Sequence, residues 1–392
     1  QKKCIQKSII SEKEFLKIDD KIKKIIEKEV DYVEEQPNPH PDSALDYLFS
    51  DSSSLDEKCS IEPQDVKDKI VMVDSINHAL SEELKLNDKM LIYGEDVAGD
   101  KGGVFTATRG LTKEFGEDRV FNSPLAESSI IGTAIGLSIK GYKPVVEIQF
   151  GDYIWPAMMQ IRNEVATMRY RSNGNWACPL VIRVPVGGYI HGSLYHSQSI
   201  DGYFAHTPGL KVAYPSNASD AKGLLKYACR CDDPVLFLEH KGIYRQGFAS
   251  SLEPDENYLL PFGKAKVVQE GNDLTIVTWG AIVQKSIEAA RNTGKSIEII
   301  DIRTLNPLDI ETILDSIKKT NRVIVAHEDH LTAGFGSEIA AQISDEGFEF
   351  LDAPVKRVAS KDVHIAYSPN LENEILVQTS WIEKEIEDIT NY

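Results

Sequence analysis

From residue 70 onward the chain alternates short apolar runs with longer segments of helical period, and few folds satisfy that alternation. Runs near residues 90–93, 143–148, 179–185, 211–214 and 235–239 read as strands, and residues 72–84, 128–139, 153–171 and 218–228 read as helices. Strands that alternate with helices imply a parallel sheet covered by its own crossovers. A linker at 250–261 ends this unit and a second one follows. Its strands are expected at 273–278, 296–301 and 322–327, and its helices at 282–291, 310–319 and 337–346. The expected fold class is α/β, with two stacked domains built on mainly parallel sheets.

The first part has another character. Residues 11–33 place Phe15, Ile18, Ile22, Ile25, Ile26, Val30 and Val33 on one side of an expected helix, which Ser11 and Glu14 open at capping-box spacing. The proline-rich QPNPHPD at 36–42 breaks it, a short apolar patch follows at 45–49, and SDSSSLDEKCSIEPQD at 50–65 reads as a flexible tether. A lone helix with a linker is not a domain, so its apolar stripe must pack on the body of this chain or on a neighbour. The expected division is 1–66, 67–250 and 251–392.

At 392 residues, 42% hydrophobic and 27% charged, the chain has the composition of a globular protein with two to three domains. No apolar stretch approaches the roughly 20 residues that span a bilayer, and no charged-then-apolar export signal is expected. A formal charge of −18, with basic residues interleaved among acids, argues against a nucleic-acid partner. The five cysteines are odd in number and include no Cys-x-x-Cys pair, so they read as reduced thiols of a cytoplasmic protein.

The segment FNSPLAESS, 121–129, puts Glu127 on the turn between an expected strand and an apolar helix. Upstream, MLIYGED runs into the glycine-rich GDKGG, the pattern of a buried parallel strand opening into a loop. Downstream, Ile130, Ile131, Ala134, Ile135 and Leu137, with Gly132 and Gly136 between them, describe a helix expected to be buried nearly all round. The helix dipole lowers the pKa of an acid there and an apolar wall raises it. Two readings stay open at this level: a cofactor-binding acid, or an acid that merely decorates a first helical turn.

The string LIYGEDVAGDKGGVFTATRGLTKEFGEDRVFNSPLAESSIIGTAIGLSIKGYKPVVEIQFGDYIWP, 91–156, closely resembles the beta subunit of the thiamine-diphosphate-dependent component of 2-oxo acid dehydrogenase complexes. The likeness continues through HGSLYHSQS (191–199), HTPGLKV (206–212), IDIRTLNPLD (300–309) and HEDHLTAGFGSEIA (327–340). It covers residues 70–392 and implies a transketolase-like pyrimidine-binding domain followed by a transketolase C-terminal domain. The first sixty-six residues resemble the C-terminal tail of the matching alpha subunit, which implies a fused alpha-beta chain.

The resemblance assigns roles. Glu127 matches the acid that hydrogen-bonds the pyrimidine ring of thiamine diphosphate, and the Leu125 carbonyl the acceptor for its exocyclic amine. Tyr153 matches the ring against the pyrimidine face, its alternative being an ordinary core aromatic; Gln149 is a supporting hydrogen-bonding group. His196 matches the histidine that donates a proton as the acyl group passes to a lipoyl disulfide, and His191 is left as a structural loop residue. His191, His196 and His206 have no carboxylate or cysteine at zinc-like spacing, so no metal site is expected on this chain. A monovalent-cation (K⁺) site near Asp232 occurs in some relatives.

No Gly-Asp-Gly segment with a later Asn, the family's Mg²⁺-diphosphate clamp, occurs here; Gly151-Asp152-Tyr153 is not one. The Mg²⁺ half of the site is therefore expected from an alpha part, at an interface between subunits. The implied reaction is oxidative decarboxylation of a 2-oxo acid with reductive acylation of a lipoyl group, branched-chain substrates being favoured by Tyr153 and the LYHSQS loop. Implied partners are the alpha part, a second beta subunit and a lipoyl-bearing acyltransferase, the last two meeting the C-terminal domain around Glu328, Asp329, Gly334 and Gly336. The rival readings are a pyruvate or acetoin dehydrogenase beta subunit, a transketolase relative and a non-catalytic assembly protein.

Overall fold

The apolar runs become strands buried on both faces, because helices close over each side of the sheet they form. This is seen in a computed structural model that describes residues 2–63 and 65–392. The larger sheet has seven strands in the spatial order Thr304–Asn306, Lys211–Ala213, Val235–His240, Val181–Val186, Lys143–Glu147, Met90–Gly94 and Val120–Asn122. All neighbours are parallel except the first pair. On one face, helices Met72–Leu86 and Ala218–Arg230 bury Ile76, Leu80, Leu84, Leu224 and Leu225 against it. On the other, Ile130, Ile131 and Ala134 of helix Glu127–Ile139 join a core that also holds Trp279, Ile302 and Ile313 from the second α/β part. The two α/β parts therefore share apolar interior.

The second sheet runs Lys356–Ser360, Val323–His330, Leu274–Thr278, Ile297–Asp301 and Lys266–Gln269, parallel except for the last strand. One strand crosses between the parts: Thr304–Asn306 follows the second unit's strands yet completes the edge of the first sheet. Arg303 turns the chain there with φ +59, and its buried guanidinium forks onto the Asp220 carboxylate at 2.8 and 2.9 Å.

The chain divides into two units, Gln1–Asp46 and Tyr47–Tyr392. In the first, helix Glu12–Glu34 carries the capping box: Glu14 N–H donates to Ser11 Oγ at 3.2 Å, and Ser11 N–H donates to Glu14 Oε2 at 3.0 Å. None of that helix's residues is buried.

Three expectations are corrected. The described residues of the run expected to be a flexible tether, 50–63, are held to the body. Ser50 donates through N–H and Oγ to Asp233, Tyr227 donates to Asp56 at 2.8 Å, and Ser60 N–H donates to the Leu259 carbonyl at 3.0 Å. Its partners lie far along the chain, where local composition carries no sign of them. The helix expected over 153–171 is broken into two 3₁₀ turns, a π-helical stretch Gln160–Val165 and a short helix Met168–Arg171. Pro156 gives no backbone N–H to carry a continuous helix through that point. Helix Glu127–Ile139 is not buried all round: Gly132, Thr133, Gly136 and Ile139 are exposed, and added Cβ atoms at the two glycines would meet open space.

The glycines at 334 and 336 make room for a ring. A Cβ at Gly336 would come within 2.3 Å of His327 Cδ2, and one at Gly334 within 2.6 Å of its Cε1, while Trp279 stacks on it at 5.2 Å. Burial pushes His327 down to about 4, and neither ring nitrogen has a partner among the described residues. Its folded pKa is depressed, so its contribution is present above about 6.5 and is lost as pH falls toward 4, while the unfolded chain takes the proton first. The expected loss is about 3 kcal/mol. Urea titrations between pH 7 and 4 will show it as a steeper acid limb than that of His327→Phe.

Candidate active site

Parallel α/β sheets bind ligands beyond the carboxyl ends of their strands, where the connecting loops converge. Four strand ends meet here. Strand Met90–Gly94 delivers Glu95 and Asp96, strand Val120–Asn122 delivers the turn through Leu125 to Glu127, strand Lys143–Glu147 delivers Gln149 to Tyr153, and strand Val181–Val186 opens the loop that carries His191 and His196.

Glu127 opens its helix and is half-buried, next to Leu125, whose side chain is 81% exposed. Burial first, then the charges of Asp152 and Glu127, raise the pKa of Tyr153. Glu95 is buried; desolvation first, then Glu127 and Asp96, hold its carboxyl above the usual range despite a hydrogen bond from the Ala126 N–H. Glu95 Oε1 has no partner among the described residues. Gln149 Nε2 donates to the Glu95 carbonyl at 3.3 Å and to Asp96 Oδ2 at 3.2 Å, tying the first loop to the third.

Tyr153 and His196 meet directly: the phenol oxygen lies 2.9 Å from His196 Nε2. Phe150 packs edge-on against both, with ring centroids 4.6 Å from His196 and 5.4 Å from Tyr153. Behind them, burial raises Asp152, whose Oδ2 accepts the Gln198 N–H at 3.4 Å. Burial also pulls Lys241 down to about 8, against the fields of Glu328, Asp152 and Glu372. Lys241 donates to the Gly187 carbonyl.

All five residues singled out from the sequence, Glu127, Leu125, Gln149, Tyr153 and His196, thus stand at the strand ends that converge here. His191 does not point to this cluster; its Nδ1 lies 2.5 Å from Glu372 Oε2. Sequence reasoning missed Glu95 as a site residue, though an acid at the end of an apolar strand was a visible signal. It also missed Asp152 and Lys241, for which local sequence offers no signal. Asp232 is exposed, and neighbouring Asp233 is held by Lys211 at 3.0 Å and Arg169 at 3.5 Å. Among the described residues no group of three or more His, Cys, Asp or Glu is arranged to hold a metal ion.

The cluster fits the pyrimidine half of thiamine diphosphate: a half-buried carboxylate, a second buried carboxyl with an orphaned oxygen, and an aromatic ring beside a histidine. It does not supply a diphosphate clamp.

Family models match in order: transketolase, pyrimidine binding domain, over residues 68–246, and transketolase, C-terminal domain, over residues 263–382. The chain is 45% identical over 324 residues to 2-oxoisovalerate dehydrogenase subunit beta of Bacillus subtilis (strain 168), covering 82% of this chain and 98% of that protein. It is 47% identical over 303 residues to the pyruvate dehydrogenase E1 component subunit beta of the same strain, covering 76% of this chain and 92% of the relative. A solved split-gene transketolase, an inactive beta4 tetramer, superposes with a TM-score of 0.66 at 23% identity, over 82% of this chain and 98% of that one, a likeness of fold. With two matched domains in sequence and relatives covered nearly end to end, the chain belongs to the family of beta subunits of the E1 component of 2-oxo acid dehydrogenases.

Proposed function

We propose that this chain, joined by an alpha part, decarboxylates branched-chain 2-oxo acids of the 3-methyl-2-oxobutanoate type and passes the acyl group to a lipoyl arm of an acyltransferase. The observation that carries this is the convergence of Glu127, Glu95, Tyr153 and His196 at the strand ends. Bound thiamine diphosphate supplies the electron sink. Glu127 holds and returns a proton at the pyrimidine ring nitrogen, and the Leu125 carbonyl takes the adjacent amine. Glu95, whose pKa is raised by burial and then by the Glu127 charge, disfavours a second negative charge beside Glu127. Tyr153 covers the ring face and fixes His196 through Nε2; His196 delivers a proton to the departing lipoyl sulfur. Gln149 keeps Glu95 and Asp96 in register.

The Mg²⁺-diphosphate half is assigned to the alpha part, and residues 1–66 to the end of a fused alpha region, on the sequence grounds given above. The described cysteines are free thiols, and burial raises Cys178, Cys229 and Cys231, in keeping with a reducing cytoplasm. Pyruvate is the second reading, supported by the 47% identical relative.

The test is reconstitution with the alpha part and comparison of turnover on 3-methyl-2-oxobutanoate and pyruvate. Higher kcat/KM on the branched substrate supports the reading, and the reverse assigns pyruvate. In that assembly His196→Asn is expected to lower lipoyl acylation about 100-fold while decarboxylation coupled to ferricyanide stays within about threefold. Equal loss in both half-reactions would remove His196 from the transfer step.

A further inference from the structure

The loop that carries His196 closes on itself at Gly187 N–H to Gln198 carbonyl, 3.2 Å. Between these ends Tyr189, His191 and Ser193 hold φ values of +60, +55 and +65, a left-handed region that non-glycine residues enter only at a cost in backbone strain. Such a run persists only where its surroundings enforce it. The enforcing groups belong to the C-terminal domain. Glu328, at the end of strand Val323–His330, accepts the Gly188 N–H at 2.6 Å through Oε1 and meets His240 Nε2 at 2.5 Å through Oε2. Tyr189 donates its hydroxyl to the Val377 carbonyl at 2.8 Å. Glu372, fully buried on helix Pro369–Ile375, accepts the His191 N–H at 3.2 Å and faces His191 Nδ1 at 2.5 Å.

The two halves of the loop are thus held from different domains. Gly188, Tyr189 and His191 hang on the C-terminal domain, while 196–198 face the site: His196 against Tyr153 and Phe150, and the Gln198 N–H on Asp152. Gly192 leaves little slack between them, since a Cβ there would come within 2.8 Å of His196 Cβ. A shift of the His191 half is therefore passed to His196 across a few residues that already lack freedom.

We propose that Glu372 is a positioning residue for acyl transfer: by clamping His191 it holds the loop in the one conformation that aims His196 at the site. This rests on the reading of His196 given above. The clamp makes the C-terminal domain part of the catalytic geometry as well as of assembly. It also gives His191, which spacing left without a task, a partner 181 residues away. A buried carboxylate that accepts the backbone N–H of His191 through Oε1 and sets Oε2 2.5 Å from its ring Nδ1 leaves that residue little room to move. Glu328 secures the neighbouring peptide in the same way.

The test uses the alpha-reconstituted assembly with Glu372→Gln, His191→Gln, the double variant and His196→Asn. His191 is half exposed, so its substitution leaves the fold standing where Glu372→Gln lowers stability. Expected for both singles is about a tenfold fall in kcat for lipoyl acylation, KM for the lipoyl domain unchanged, and ferricyanide-coupled decarboxylation retained. The double variant should be no worse than the poorer single, as for two ends of one contact. Hydrogen-deuterium exchange of the 187–198 peptide should quicken in each variant of the pair. Unchanged exchange and transfer in His191→Gln would overturn the proposal, as would losses spread equally over both half-reactions. If His196→Asn leaves transfer intact, the reading of His196 fails; the exchange data then decide the clamp alone, faster exchange upholding it and unchanged exchange overturning it.

Discussion

Glu127→Gln in the reconstituted assembly is expected to lower turnover about 1,000-fold with little change in melting temperature. Glutamine is the same size and keeps an acceptor oxygen, so the half-buried helix start loses little packing. What it cannot do is take and return a proton. The consequence extends to Glu95, whose raised pKa depends in part on the Glu127 charge. With that charge removed, Glu95 should ionise at lower pH, visible in a carboxyl-labelled NMR titration of the variant. That readout is independent of turnover. A turnover loss below about tenfold would return Glu127 to the role of a residue on a first helical turn.

Arg183→Met is expected to cost about 3–5 kcal/mol of stability, the largest effect of a single substitution named here. Arg183 is fully buried between strands Lys143–Glu147 and Val235–His240. Its Nε and Nη2 fork onto Glu239 at 2.7 Å each, and its Nη1 donates to Glu147 Oε2 at 2.7 Å. Tyr244 donates to Glu239 as well. Methionine fills similar volume but leaves two carboxylates facing each other without a cation in low dielectric. Burial already raises Glu147, with Arg183 opposing that rise and Glu239 adding to it; the variant removes the opposition. An acid raised in the folded state loses stability as pH climbs, so the deficit against wild type should shrink as pH falls from 7 toward 4.5. Urea unfolding across that range checks it, and adding Glu147→Gln and Glu239→Gln should recover most of the loss. A deficit that does not change with pH would assign the damage to packing instead. Glu147 lies two residues before Gln149, so a milder disturbance of this cluster would reach the site through the strand end.

Much of this protein was legible in one dimension. The strand-helix alternation, the capped helix over Glu12–Glu34 and the placement of Glu127 at a helix start all follow from periodicity and capping, which act within a few residues and so leave a local trace. The same holds for the strands that end at the site, since each apolar run is short and followed by polar or glycine residues.

The rest was decided by contacts that cross the chain. Tyr153 meets His196 over 43 positions, Gln149 meets Asp96 over 53, Arg183 meets Glu239 over 56 and His191 meets Glu372 over 181. No local pattern announces such pairs, because their stability depends on where the sheet brings distant loops. Thr304–Asn306 reads like part of its own domain yet completes the other sheet, and the Ser- and Asp-rich run at 50–65 reads as a tether yet is pinned by Asp233 and Tyr227. Sequence by itself determined the main strand-helix alternation outside 153–171 and which acid opens the key helix, because propensity and period are local. Only the tertiary structure decided which side chains share a site, because desolvation, hydrogen bonding and charge pairing act through space.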